Sequence, residues 1–162
     1  RRMGRGEGTI HWDDWMDLTD TLLPALANDD AHAKQETKRD TYEGWTMARV
    51  RERTADAVTD ALEAGASYGS TGPEIHDIQL RRVDEVSDDK HVVEATVRSS
   101  EAQSVNAVCD TFGTEHRPGN GTFDQAVFTI RPNARWARFE VMGPDGSKAW
   151  SNPFDLTRVE HE

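Results

Sequence analysis

The residues most able to do chemistry lie in one short run, Ala27-Asn28-Asp29-Asp30-Ala31-His32. Asp30 and His32 are two residues apart, so a carboxylate and an imidazole at the end of one chain segment could reach a single metal site. Asp offers a hard oxygen and His a borderline nitrogen, a donor set that suits Zn, Mn or Fe. Asp29 or His76 could complete the set. Lys38 and Arg39, in the polar stretch after His32, could hold a substrate phosphate. On spacing alone the pair also fits an ordinary polar surface loop, with Lys38 and Arg39 as solvated charges. The other groups read more plainly. Cys109 sits in the apolar run Val105 to Cys109 and reads as core rather than nucleophile. Ser70 has no His or Asp at a nucleophile's spacing and reads as part of a turn shaping the site mouth. His91, His116 and His161 fall at strand starts, in turns or in the tail. Trp136 and Trp150 read as packing residues, with a carbohydrate platform as the alternative.

These groups must be carried by elements, and the chain predicts them in two textures. Residues 11–20 mix Trp12, Trp15, Met16 and Leu18 with four Asp, as in a short amphipathic helix. Leu22–Ala27 is apolar but holds Pro24, which predicts a short buried strand rather than a helix. Residues 33–43 read as a loop and 45–50 as a short strand. Thr54 is set to cap a helix with Asp56 in its first turn, and Gly65 is set to stop it. Residues 68–73 are rich in turn residues. From residue 74 the pattern changes to short strands at 75–83, 91–98, 104–111, 125–131, 136–142 and 148–154. Turn signals separate them at Ser87-Asp88-Asp89, Pro118-Gly119-Asn120-Gly121 and Gly143-Pro144-Asp145-Gly146. The expectation is an α+β chain: a mixed part over 1–73, then an antiparallel, sandwich-like part over 74–162.

Composition bounds the partners. The net charge is −11 over 162 residues, which argues against nucleic-acid backbones and anionic membranes. There are 15 Arg but four Lys, and Asp outnumbers Glu. An Asp-rich, Lys-poor surface suits a halophilic source, where salt screens self-repulsion. A lone cysteine permits no internal disulfide and points to a reducing cytoplasm. No apolar run approaches the roughly 18 residues of a membrane span. The basic N-terminus lacks the apolar stretch of a signal peptide.

Taken in order, several segments resemble a known family. These are Trp12-Asp13, LLPALANDDAH, Gly44-Trp45, Glu63-Ala64-Gly65, then Tyr68, Ser70, Gly72 and Pro73. They continue with Trp136-Ala137-Arg138-Phe139-Glu140-Val141, Asp145-Gly146 and Ala149-Trp150-Ser151-Asn152-Pro153. Over residues 12–156 the chain resembles the C-terminal stretch of PHP (polymerase and histidinol phosphatase) phosphoesterases. That resemblance implies a remnant of a distorted β/α barrel made of a short strand, a loop and a helix. It also implies that Asp30 and His32 match the family's last pair of metal ligands. Enzymes of this kind hydrolyse phosphate esters at a cluster of divalent ions that bridges a hydroxide nucleophile and neutralises the phosphate oxygens. The family's early His-x-His pair is absent, and before Asp30 the one histidine is His11. The chain alone is therefore expected to be a poor catalyst, either a fragment or a truncated relative. Its expected partners are a small phosphorylated substrate in the complete enzyme and, for the isolated chain, a missing N-terminal segment or another copy. A non-catalytic β-sandwich module for binding or structure is the competing reading.

Overall fold

The computed structural model describes residues 8–29, 31, 41–87, 90–110, 113–116 and 121–159. Its strands form two antiparallel sheets. The small sheet has the order β3–β4–β7, from β3 (Ile75–Ser87), β4 (Lys90–Ala102) and β7 (Phe123–Ile130). The large one runs β1–β2–β9–β8–β5–β6, from β1 (Trp45–Ala48), β2 (Ser67–Ser70), β5 (Ser104–Cys109), β6 (Gly113–His116), β8 (Trp136–Met142) and β9 (Lys148–Ser151). β10 (Phe154–Asp155) adds to β8. Every strand pairing among the described residues is antiparallel.

Strand alternation builds the core between the sheets. Along β4, Val93, Ala95 and Val97 turn inward while Glu94 turns out to meet Arg81 at 2.7 Å. From β7 come Ala126, Phe128 and Ile130. The large sheet answers with Val105, Ala107, Phe139, Val141 and Ala149. The Phe128 and Phe139 rings lie 5.9 Å apart across the interface. Cys109 is buried in the same core, and burial is the main reason its thiol is pushed up to about 12, so it is protonated and inert. The α+β expectation and the antiparallel C-terminal part hold. The change in texture at residue 74 marks no break in the large sheet, because β2 pairs β9 through Tyr68–Ser151, Gly69–Trp150 and Ser70–Ala149.

α1 (Thr9–Thr19) and α2 (Ala55–Glu63) are the two helices. α2 begins where expected: the Thr54 hydroxyl accepts from the Ala57 N–H at 3.2 Å. It ends in a Schellman turn. Gly65 takes φ +67°, Ala66 N–H bonds Ala61 O at 2.8 Å, and Gly65 N–H bonds Leu62 O at 3.1 Å. No helix among the described residues is long and apolar enough to cross a membrane.

Two expectations are corrected. Leu22–Ala27 is not a buried strand. It is an extended strap with no strand partner, and Leu23 and Leu26 are 37% and 62% exposed. Pro24 brings no N–H, and the strap's neighbouring amides bond to side chains instead of a ladder. Tyr68, Gly69 and Ser70, expected within a turn, belong to the short strand β2, and only Thr71–Pro73 turn. β6 was not expected from the sequence. Most of the expected loop at 33–43, and the expected end of a strand at Thr111, lie outside the described residues.

Candidate functional site

Beyond the strap the unpaired segment runs on to Asp29, the residue before Asp30 in sequence. Asp30, His32, Lys38 and Arg39 lie outside the described residues. Asp29 is described, and its carboxylate closes a turn. Oδ1 accepts N–H groups from Glu43 (2.6 Å) and Gly44 (2.7 Å), and Oδ2 accepts from Tyr42 (2.7 Å). The Gly44, Tyr42 and Glu43 amides hold the carboxyl below its usual range, against the opposing effect of burial. The turn sets Tyr42 in the left-handed region at φ +63° with its side chain 90% exposed. A non-glycine residue there is costly and persists because its surroundings fix it.

His76 is elsewhere. It starts β3 in the small sheet, half-exposed, with Nε2 3.2 Å from Glu74 Oε2. Among the described residues no group of three or more His, Cys, Asp or Glu side chains is arranged to hold a metal ion. Among the described residues, Asp29 and His76 therefore belong to no such group.

Upstream of Asp29 the strap is tied to the large sheet at three points. Ala25 N–H bonds Asn152 Oδ1 at 2.7 Å. Ala27 bonds Thr46 Oγ1 twice, its N–H donating at 2.9 Å and its carbonyl accepting at 3.0 Å. At Gly44 the backbone passes so close to Asn28 that an added Cβ would lie 2.9 Å from Asn28 O. Gly69 is equally constrained: its missing Cβ would lie 2.9 Å from Ala27 Cβ. Asn152 also spends its amide nitrogen, donating to Gly65 O and Ser67 O at 3.0 Å each and to Ser67 Oγ at 3.1 Å.

Sheet register shows which face this is. Thr46 pairs Gly69, Gly69 pairs Trp150, Trp150 pairs Glu140, and directly opposed residues share a face. Arg138, two residues from Glu140 on β8, shares it as well. The strap therefore crosses the outer face of the large sheet, away from the core, and α1 packs over β8 on the same face through Asp13 and Asp17. Met16 is fully buried there. Arg138 is 2% exposed, and its Nε and Nη2 bond both oxygens of Asp13 at 2.6 Å. Its Nη1 bonds Glu140 at 2.6 Å, and the guanidinium lies 4.8 Å from the centre of the Trp12 ring. Burial opposes the arginine's charge, but the hydrogen bonds to Asp13 and Glu140 outweigh it and raise its pKa. Trp136 Nε1 donates to Asp17 at 3.1 Å, and Trp12 Nε1 donates to Leu23 O at 2.9 Å, joining helix to strap. Arg135 binds Asp20 at the helix end and Asp110 at 2.9 Å.

The remaining sequence candidates have structural work. Ser70 is fully buried; its hydroxyl donates to Pro73 O at 2.6 Å and accepts from Gly72 N–H at 2.9 Å, so it builds the turn. Trp136 is 2% exposed, which removes it as a sugar platform. The Gly143–Gly146 turn packs against Gly72, where any side chain would meet Ser147. A recess of about 190 Å³ beside His91, Arg131 and Arg135 holds none of the candidates. There His91 Nε2 bonds Leu156 O at 2.9 Å, and Arg135 is already engaged by carboxylates. Sequence reasoning missed Asn152, Thr46 and the Asp13–Arg138 pair as organising groups. Asn152 stood inside a noted motif but carried no sign of its partners, which are 85 to 127 residues away. The chain matches no protein-family model, and no curated protein or solved structure matches it.

Proposed function

We propose that the chain is the C-terminal portion of a PHP-like, metal-dependent phosphoesterase, with Asp30 and His32 as its share of a divalent-metal site. One observation carries the reading. The segments that resemble the family are far apart in sequence, yet their residues meet around the strap that leads into Asp30 and His32. Trp12 bonds Leu23 of the strap, and Asp13 beside it binds Arg138. Asn152 binds Ala25, Gly65 and Ser67. Gly44 seats against Asn28 and Gly69 against Ala27.

In this reading a carboxylate and an imidazole at the strap's end bind Zn, Mn or Fe, and the ion supplies Lewis acidity toward a phosphate ester. Lys38 and Arg39 would contact the phosphate. The rest of the ligand set, and the substrate contacts that go with it, would come from polypeptide beyond these residues. Ile10, Trp15 and Leu18 on the exposed side of α1, with Leu23 and Leu26 on the strap, offer that polypeptide an apolar surface.

Metal content after dialysis tests the proposal, comparing the wild-type chain with Asp30→Ala/His32→Ala by mass spectrometry. Near-stoichiometric metal in the wild type, lost in the double variant, is the expected result. Equal and negligible metal in both would leave a non-catalytic β-sandwich module as the reading.

A further inference from the structure

The large sheet ends at β1, which pairs β2 on one side and no strand among the described residues on the other. Arg49 N–H donates to Ala66 O at 2.8 Å, in register with the β1–β2 ladder. Bonding residues alternate along an antiparallel pair, so Trp45 and Met47 also turn their main-chain groups toward β2. Thr46 and Ala48 turn theirs to the open edge. Just before them Asp29 takes the Gly44 N–H at 2.7 Å, so the opening begins at Thr46.

Sheet edges are usually blunted by charge, proline or bulges. The β3 edge follows that rule: it carries Asp77, Arg81, Arg82, Asp84 and Glu85, and its pairing shifts register three times. β1 does not. Trp45-Thr46-Met47-Ala48 holds no charge, no proline and no register shift. Trp45 and Met47 are 38% and 42% exposed, on the face of their β2 partners Ser70 and Tyr68. Charge lies at the flanks. Glu43 precedes the strand and Arg49 and Arg51 follow it, all exposed and in no ion pair among the described residues.

We propose that the open edge of β1 is a self-pairing surface, and that its occupant is β1 of a second copy, antiparallel about a two-fold axis at Met47. The edge is complementary to itself. The register that uses both open residues sets Thr46 opposite Ala48 of the other copy, each pair exchanging N–H and C=O. It brings Met47 against Met47 and Trp45 against Arg49, and it sets Glu43 facing Arg51 beyond each end. Opposite charges, and a cation beside an indole, thus meet in the register that the backbone selects. The contact is short, so the dimer is weak and reversible. It does not depend on the metal-site reading.

Sedimentation equilibrium of the 162-residue chain over a concentration series, at about 0.15 M salt, reads the outcome. There the Debye length of about 8 Å mutes repulsion between two chains of net charge −11 but lets facing charges act. The wild type should show a monomer–dimer equilibrium. Met47→Arg sets like charges on the two-fold axis and should weaken the dimer by at least about 100-fold. Ala48→Pro removes an edge N–H and should do the same, with the monomer still folded by circular dichroism. Glu43→Arg and Arg51→Glu should each weaken the dimer about 10-fold, and the double reversal should restore it. Should Ala48→Pro fail to fold, Met47→Arg and the charge reversals decide the matter, since those side chains are exposed. A wild type that stays monomeric up to about 1 mM overturns the proposal. A dimer that survives Met47→Arg also overturns it, and moves the contact to the apolar side of α1 at Ile10, Trp15 and Leu18. Loss in Met47→Arg without rescue by the double reversal overturns the register and upholds the edge.

Discussion

The two faces of the large sheet are covered in opposite ways. The inner face meets the small sheet through Val105, Ala107, Phe139, Val141 and Ala149, all apolar. On the outer face lie α1 and the strap, and the hydrogen bonds that tie them down are Arg138 with Asp13, Trp136 with Asp17, Ala25 with Asn152 and Ala27 with Thr46. One face is non-directional and tolerant of small shifts. The other fixes position, because charged and amide hydrogen bonds fail when geometry drifts. β8 belongs to both, which explains why the run Trp136–Val141 is buried on its two sides although it carries Arg138 and Glu140. A molecule built this way spends apolar burial on staying folded and polar contacts on placing one segment.

Breaking the apolar face should cost most. Phe139→Ala empties a fully buried ring site and should lower the unfolding free energy by about 3 to 5 kcal/mol, read from urea denaturation as a lower midpoint of the whole transition. Asp13→Ala should cost less, about 2 to 3 kcal/mol, since it strips two of the three bonds from a buried guanidinium while Glu140 remains. Its signature should be local: hydrogen exchange rising at α1 before the β4 and β7 amides respond. Equal acceleration in both places would erase the distinction between the faces.

The smallest effect is a pH response at the strap's end. The folded carboxyl of Asp29 titrates below its ordinary value of 3.8. Its contribution is therefore complete above that value and fades as pH falls through the lower, folded value. The Gly44 and Tyr42 amide shifts should move in that acid window while core signals stay still. Titration of those shifts at or above 3.8 would show that the clamp is absent in solution.

Much of the inner face was legible in the sequence, and little of the outer. Val93, Ala95 and Val97 announce β4 by alternation, and Thr54 and Gly65 bracket α2, because these signals are local. The strap misled because LLPALA is apolar, and apolar runs are read as buried strands. Its amides in fact bond Thr46 and Asn152, 19 and 127 residues away, and no window along the chain holds both ends. Arg138 likewise could not announce its burial, since Asp13 is 125 residues distant. Of the candidate site, Asp29 stood out as a possible ligand beside Asp30. Its tie to Tyr42, Glu43 and Gly44 needed the fold to be seen.

Cys109 gives the inner face a further property. It is the chain's one thiol, it is buried, and its pKa of about 12 keeps it protonated at neutral pH. An alkylating reagent therefore finds no thiolate until the two sheets part, and after that modification is permanent. The rate at which the native protein takes up such a label counts how often its sandwich opens, with no engineered probe and no denaturant.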